Sequence, residues 1–240
     1  MNQVRLHAIS GFLGGPSDWS DLSKLNGIDL IAHDAREWLD SRDVNSWGTL
    51  VRAASASLTT VAGRKSMLLG YSLGGRIAMH LLAATPERWA GAMLVSAHPG
   101  LSEVQDRAAR VAADEAWARR FDTEPWEKVL DAWEHQPVLA TSRSRPVRAA
   151  ECDRAVWTKA LRSLSLGQQR DFRPFLRSYR KPVAWVAGAR DVKFVTLARQ
   201  LREEGIARDV WICDEAGHRV PWDAEVSFAA HLSAFVSAQS

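Results

Sequence analysis

The chain has 240 residues, 46% hydrophobic and 25% charged, and a formal net charge of +3. That is enough for one domain with a sizeable core, and no apolar run reaches the roughly 18 to 20 residues a membrane helix needs. The basic residues are mostly arginines scattered among acids, which argues against nucleic acid and suits a small anionic partner instead.

The N-terminus, "MNQVRLHAISGFLGG", goes straight into strand-like sequence with no basic stretch before an apolar core, so a cytoplasmic protein is expected. Strand candidates then recur as "QVRLHAIS", "IDLIAHD", "KSMLLGY", "WAGAMLVSA", "PVAWVAG" and "DVWICD", with helical stretches between them. The alternation predicts an α/β fold with a mainly parallel sheet and flanking helices. One connection breaks the rhythm. Residues 99–181 separate two strands that would ordinarily be joined by 2 to 6 residues, and their helical pattern, with Val104, Ala108 and Val111 on one stripe, predicts a helical cap. The core is then 1–98 and 182–240. Cys152 and Cys213 are far apart and match no metal spacing, so free thiols and no metal site are expected.

"GYSLGGR", Gly70 to Arg76, carries G-x-S-x-G, which chance alone produces in roughly one chain in ten of this length. Its context is more specific. A short apolar run precedes Ser72, and Ile77, Ala78, Leu81 and Leu82 follow at helical spacing before Pro86. A strand turning sharply into a helix at a serine is a nucleophile elbow, with glycines where a side chain would clash.

A serine so placed needs an imidazole, and the imidazole an acid to hold its tautomer. Of seven histidines, His218 stands in a Gly-containing loop after the last strand candidate. His80 and His7 read as packing residues inside a helix and a strand, while His33, His98, His135 and His231 are weaker candidates. Asp191, directly after the penultimate strand, supplies the chain order serine, acid, histidine expected of such a fold. Asp214, four residues before His218, is its competitor. The oxyanion hole would pair the backbone N–H of Leu73 with that of Phe12 in the early loop.

With elbow, cap and triad order assembled, the chain resembles the α/β-hydrolase superfamily over nearly its full length. "GYSLGGRIAM", "HPGL" with "RAARVAADEAWARRFDTEPW", and "DAWEHQPV" are similar to the 2-succinyl-6-hydroxy-2,4-cyclohexadiene-1-carboxylate synthases of the menaquinone pathway, and "GARDVKF" and "AGH" continue the match in order. The resemblance implies a triad of Ser72, Asp191 and His218 used without hydrolysis. The activated serine removes a proton, pyruvate is eliminated from a polyanionic precursor, and no metal or organic cofactor takes part.

The resemblance also assigns substrate carboxylates to Arg76, Arg110 and Arg154, the last chosen from the several arginines of "SRSRPVRAAECDR", and pocket-lining positions to Tyr71 and Trp133. Guanidinium groups suit carboxylates that must be desolvated, because they stay charged and bind bidentately. The competing reading pairs the cap arginines with Glu103, Asp106 or Asp114 as ordinary surface charges. Two departures stand out: Ser10-Gly11 replaces the family's His-Gly, and "AHDAREW" its Pro-Gly-His turn. The alternative functions are a capped carboxylesterase or thioesterase working through an acyl-enzyme, and a non-catalytic binding protein. Monomer and homodimer are both compatible with the sequence.

Overall fold

The computed structural model describes residues 4–61, 63–143 and 150–239. Six strands form one sheet: β1 (Val4–Ile9), β2 (Ile28–His33), β3 (Ser66–Tyr71), β4 (Gly91–Val95), β5 (Val183–Gly188) and β6 (Asp209–Cys213), in the order β2-β1-β3-β4-β5-β6. Every pairing is parallel. The six strand candidates of the sequence are all present.

Both faces of the sheet are covered, which is why β3 and β4 are buried at every residue. Side chains still alternate by period 2. Met67, Leu69, Met93 and Val95 point into one apolar cluster, and Leu68, Ala92 and Leu94 into the other.

The helices in chain order are α1 (Ala35–Leu39), α2 (Trp47–Ser57), α3 (Leu73–Ala84), α4 (Val104–Thr123), α5 (Trp126–Glu134), α6 (Arg154–Ser163), α7 (Arg173–Ser178), α8 (Val192–Glu203), α9 (Val220–Asp223) and α10 (Glu225–Ser237). Residues of α2, α3 and α8 pack on one face of the sheet; α9, α10 and a 3-10 helix, Pro16–Lys24, cover the other.

Between β4 and β5 the chain leaves the sheet for α4 to α7. Phe121, Trp126, Val129, Trp157 and Leu161 from this excursion join the cluster that contains Ile77 and Leu81 of α3. The Phe172 ring packs edge-on against His80 at 4.6 Å, returning the chain to the core before β5. The apolar stripe expected through Val104, Ala108 and Val111 is a correction: Val104 is 80% exposed, and the buried positions of α4 are Asp114, Ala118 and Phe121. The reason is what lies beneath. The first turns of α4 rest on the short turn at Leu166–Gln168, where Gly167 lies against the Arg107 carbonyl, and only the last turns reach the aromatic core.

Cys152 and Cys213 are both free thiols. Among the described residues no helix is long and apolar enough to cross a membrane, and no cluster of three or more His, Cys, Asp or Glu could hold a metal ion.

Candidate active site

The turn from β3 into α3 places Ser72 at φ 51°, ψ −111°, a left-handed conformation that costs a non-glycine residue energy and persists only where the surroundings enforce it. They do so here. A Cβ at Gly70 would meet the Gly74 carbonyl and Gly75 Cα, and one at Gly74 would run into the carbonyls of Ile9 and Ser10. Ser72 N–H donates to Val95 O at 2.9 Å, stitching the turn to β4. The hydroxyl is left at the carboxyl end of the sheet, where open α/β sheets bind ligands.

Two other strand ends meet it there. Asp191, after β5, caps α8 by accepting from Phe194 N–H at 3.2 Å through Oδ1, while its Oδ2 lies 2.6 Å from His218 Nδ1. His218, after β6, presents Nε2 to Ser72 Oγ at 3.4 Å. Both Asp191 and His218 are about 95% buried. The Asp191 carboxylate accepts from Nδ1–H, so Nε2 is free to accept the serine proton. Asp214, the competing acid, is exposed. Ser96 Oγ donates to the His218 carbonyl at 2.7 Å, and the rings of Tyr71 and Phe194 hold the imidazole at 5.6 and 4.8 Å between centroids.

The two expected oxyanion donors stand on the elbow and on the loop after β1. Leu73 opens α3, so its N–H is one of those a helix start leaves without an intrahelical acceptor. Phe12 lies in the loop after β1, its side chain packed on Trp133 at 4.5 Å and Trp157 at 5.1 Å. Ser10 orders that loop: its hydroxyl donates to Gly15 O at 2.9 Å, and Gly15 N–H donates to Asp18 Oδ2 at 3.1 Å. The "AHDAREW" stretch closes β2 and, after the Asp34 cap, opens α1, whose Arg36 pairs with both Asp34 and Asp153, tying the end of β2 to the 99–181 segment.

Above Ser72 is a cavity of about 310 Å³ whose lining includes Phe12, Tyr71, Ser72, Trp133 and His218. Cations crowd one side of it: Arg76, Arg110 and Lys193 all line the cavity. Arg76 Nε donates to Gln169 Oε1 at 2.8 Å and Nη2 to the Leu164 carbonyl, with the guanidinium over the Trp47 ring. Burial, then the nearby Arg110, pull its pKa down to about 9 against the pull of Asp114, so at neutral pH it remains a desolvated cation. Arg110 Nε donates to both Asp114 oxygens at 2.9 Å. The Lys193 pKa is lowered by desolvation and by Arg110, with Asp191 opposing. His98 also lines the cavity, and burial, then Lys193, Arg173, Arg76 and Arg110, push it down to about 3. Its Nδ1 accepts from Gly100 N–H at 3.1 Å, leaving a neutral Nε2–H donor.

Residues 48–225 match the model of the alpha/beta hydrolase fold family. The 2-succinyl-6-hydroxy-2,4-cyclohexadiene-1-carboxylate synthase of Klebsiella pneumoniae subsp. pneumoniae is 30% identical over 94% of this chain and 90% of its own length. The synthase of Yersinia pseudotuberculosis serotype O:1b is 34% identical over 97% of this chain and 87% of its own. The chain belongs to this synthase family. The MenH structure from S. aureus superposes with a TM-score of 0.86 at 22% identity, covering 100% of this chain and 95% of that one, so the shared fold includes residues 99–181.

Within this synthase-family chain the carried-over residues divide. Ser72, Tyr71, Arg76, Arg110 and Trp133 meet at the cavity with His218 and Phe12, and Asp191 stands behind His218. Arg154 does not join them, and this corrects the expectation. At the start of α6 its Nη1 donates to the carbonyls of Phe121 and Glu124, its Nη2 pairs with Glu151 at 2.9 Å, and the group lies over Trp126. A guanidinium that caps the end of α4 is already engaged, and it does not line the cavity. Arg145 and Arg148, from the same arginine-bearing stretch, lie outside the described residues.

Sequence reasoning overlooked Lys193 and Arg219, which line the cavity from the segments carrying Asp191 and His218. Adjacency was the available signal: Lys193 lies two residues after Asp191, and Arg219 directly follows His218.

Proposed function

We propose that the chain is a 2-succinyl-6-hydroxy-2,4-cyclohexadiene-1-carboxylate synthase, eliminating pyruvate from a polycarboxylate with Ser72, His218 and Asp191. The observation that carries this reading is Arg76. It is a desolvated guanidinium at the Ser72 cavity whose hydrogen bonds, among the described residues, go to an amide and a carbonyl oxygen and not to a carboxylate. A buried cation without a paired anion is costly, and a substrate carboxylate would pair it with two parallel bonds. Lys193 adds a second cation to the cavity wall, more exposed than Arg76, while Arg110 shares Asp114. A pocket for neutral esters has no use for this charge.

In the mechanism, His218 Nε2 takes the Ser72 hydroxyl proton and Asp191 stabilises the resulting imidazolium. The Ser72 oxygen then removes a proton from substrate carbon. The electron pair left behind forms the new ring double bond and expels the carboxylated leaving group, which takes up a proton and is released as pyruvate. The N–H groups of Leu73 and Phe12 stabilise negative charge developing on substrate oxygen. The 99–181 segment serves as the cap over the 1–98 and 182–240 core, excluding water from the reaction.

The test is direct assay with the pathway intermediate beside a panel of neutral esters and acyl thioesters. Pyruvate release with weak ester hydrolysis is expected. Efficient thioester turnover without pyruvate release would replace this reading with an acyl-enzyme hydrolase.

A further inference from the structure

The cap and the histidine loop meet at one buried cation. Arg219 directly follows His218 and is 8% exposed. Its Nη2 donates to Glu134 Oε1 at 2.5 Å, its Nη1 to the Arg143 carbonyl at 3.1 Å, and its backbone N–H to Ser142 Oγ at 2.9 Å. These three partners belong to the end of α5 and the segment after it. A fourth, the Tyr71 hydroxyl, belongs to the residue before Ser72.

A second bridge runs parallel to the first. Asp223 of α9 accepts from Arg143 N–H at 2.9 Å and from Gly217 N–H at 2.8 Å, so one carboxylate holds cap and histidine loop together. The two backbones lie so close that a Cβ at Gly217 would meet Thr141 O at 2.6 Å and Ser142 Oγ at 2.7 Å. His218 stands between these anchors. Its Nε2 is 3.4 Å from Ser72 Oγ, long for an O–H to nitrogen bond, so a displacement of a few tenths of an ångström decides whether the proton can pass.

We propose that Arg219 is a positioning residue: its ion pair with Glu134 seats the cap on the histidine loop, and that seating sets the distance between His218 and Ser72. The inference rests on the reading of Ser72, His218 and Asp191 as the relay, and not on the identity of the substrate. A buried ion pair adds little stability beyond what apolar packing would supply, which directs its role toward geometry. Arg219 also neutralises Glu134, an acid that would otherwise face incoming carboxylates across the cavity.

Arg219→Gln, Arg219→Lys, Glu134→Gln and the Arg219→Gln/Glu134→Gln double variant test this with two readouts. One is the rate at which an uncharged fluorophosphonate labels Ser72, which no change in attraction for carboxylates can alter; the other is kcat and KM for pyruvate release. Loss of the pair should slow labelling and kcat by about tenfold or more at temperatures well below Tm, as misplacement of a reacting group does; Tm should fall in the single variants, where one partner is left unpaired, and KM should move by less than about threefold in the double variant, where no charge is unmasked. The double variant should be no worse than the single ones, because the pair acts as a unit, and Arg219→Lys should recover part of the rate.

Wild-type labelling and kcat in Glu134→Gln would overturn the proposal, as would losses that multiply in the double variant. A fall in Tm that accounts for the lost activity in both Glu134→Gln and Arg219→Lys would also overturn it; these two decide the matter if Arg219→Gln does not fold. Ser72→Ala separates the underlying reading: residual labelling there would mean that the relay assignment, not the role of Arg219, is at fault.

Discussion

Arg76 Nε donates to Gln169 Oε1 across 2.8 Å, and Gln169 Nε2 donates in turn to His98 O at 2.9 Å, so the first turn of α3 is held to the 99–181 segment through a neutral amide. An amide orients the guanidinium without cancelling its charge. Arg76→Ala should therefore lower kcat/KM for the carboxylated substrate by at least about tenfold, the scale of one charge-assisted hydrogen bond. Lysine should restore activity only in part, because it keeps charge but not the planar fork. Equal, small effects on the carboxylated substrate and on a neutral ester would refute the carboxylate clamp.

The relay makes a sharper demand on its acid. Asp191 is buried and 2.6 Å from His218, whereas Asp214 is exposed. Asp191→Asn should cost several orders of magnitude in kcat through loss of the correct tautomer, and Asp214→Asn should cost less than about twofold. Ser72→Ala and His218→Ala should lose comparable amounts, with circular dichroism unchanged. A larger loss from the Asp214 change would reverse the assignment.

Lys193 and Arg154 offer a contrast between a cavity cation and a structural one. Lys193→Met should raise KM for the carboxylated substrate severalfold, more at low salt than at high, since screening weakens the attraction it supplies. Arg154→Ala should leave KM within about twofold and lower stability instead, by about 1 to 3 kcal/mol, because the Phe121 and Glu124 carbonyls lose their donor. Calorimetry and steady-state kinetics on the two variants check both halves. A KM effect confined to Arg154→Ala would restore the expectation read from the sequence.

Acid should unfold the protein through its neutral histidines. His7 is fully buried with its Nδ1 2.9 Å from His33 Nε2, and burial, then His33, push it down to about 3; burial pushes His33 itself to about 4. His80, stacked on Trp47 at 4.2 Å, is likewise pushed to about 3, chiefly by burial. The unfolded chain, near 6.5, binds protons that the folded one refuses, so this stability is intact above pH 6.5 and lost progressively as pH falls toward 3 to 4. At pH 5 His7 alone contributes a loss of about 2 kcal/mol. Denaturant midpoints measured from pH 7.5 to 4.5 should fall, and His7→Gln should flatten the slope; a midpoint independent of pH over that range would show the histidines are not the acid-labile groups.

The sequence determined those parts whose causes are local. The six strands were legible as short, mainly apolar runs, fully buried in the central β3 and β4, and the elbow because only glycine fits where Gly74 meets the Ile9 and Ser10 carbonyls. His218 and Asp191 could be named because strand ends in such a sheet converge wherever the loops lead. The short helices at Pro16–Lys24 and Ala35–Leu39 went unread, since so few residues carry too little periodicity to register. Only the tertiary structure decided which cations face Ser72. Arg154, Lys193 and Arg219 are each an arginine or lysine at the start of a helix, with little in their neighbourhoods to separate them. What separates them is contact with residues distant in the chain: Arg154 is claimed by the Phe121 and Glu124 carbonyls, and Arg219 by Glu134, 85 residues away. A side chain's charge is written in its own letter, but the partner that engages or frees that charge is set by packing.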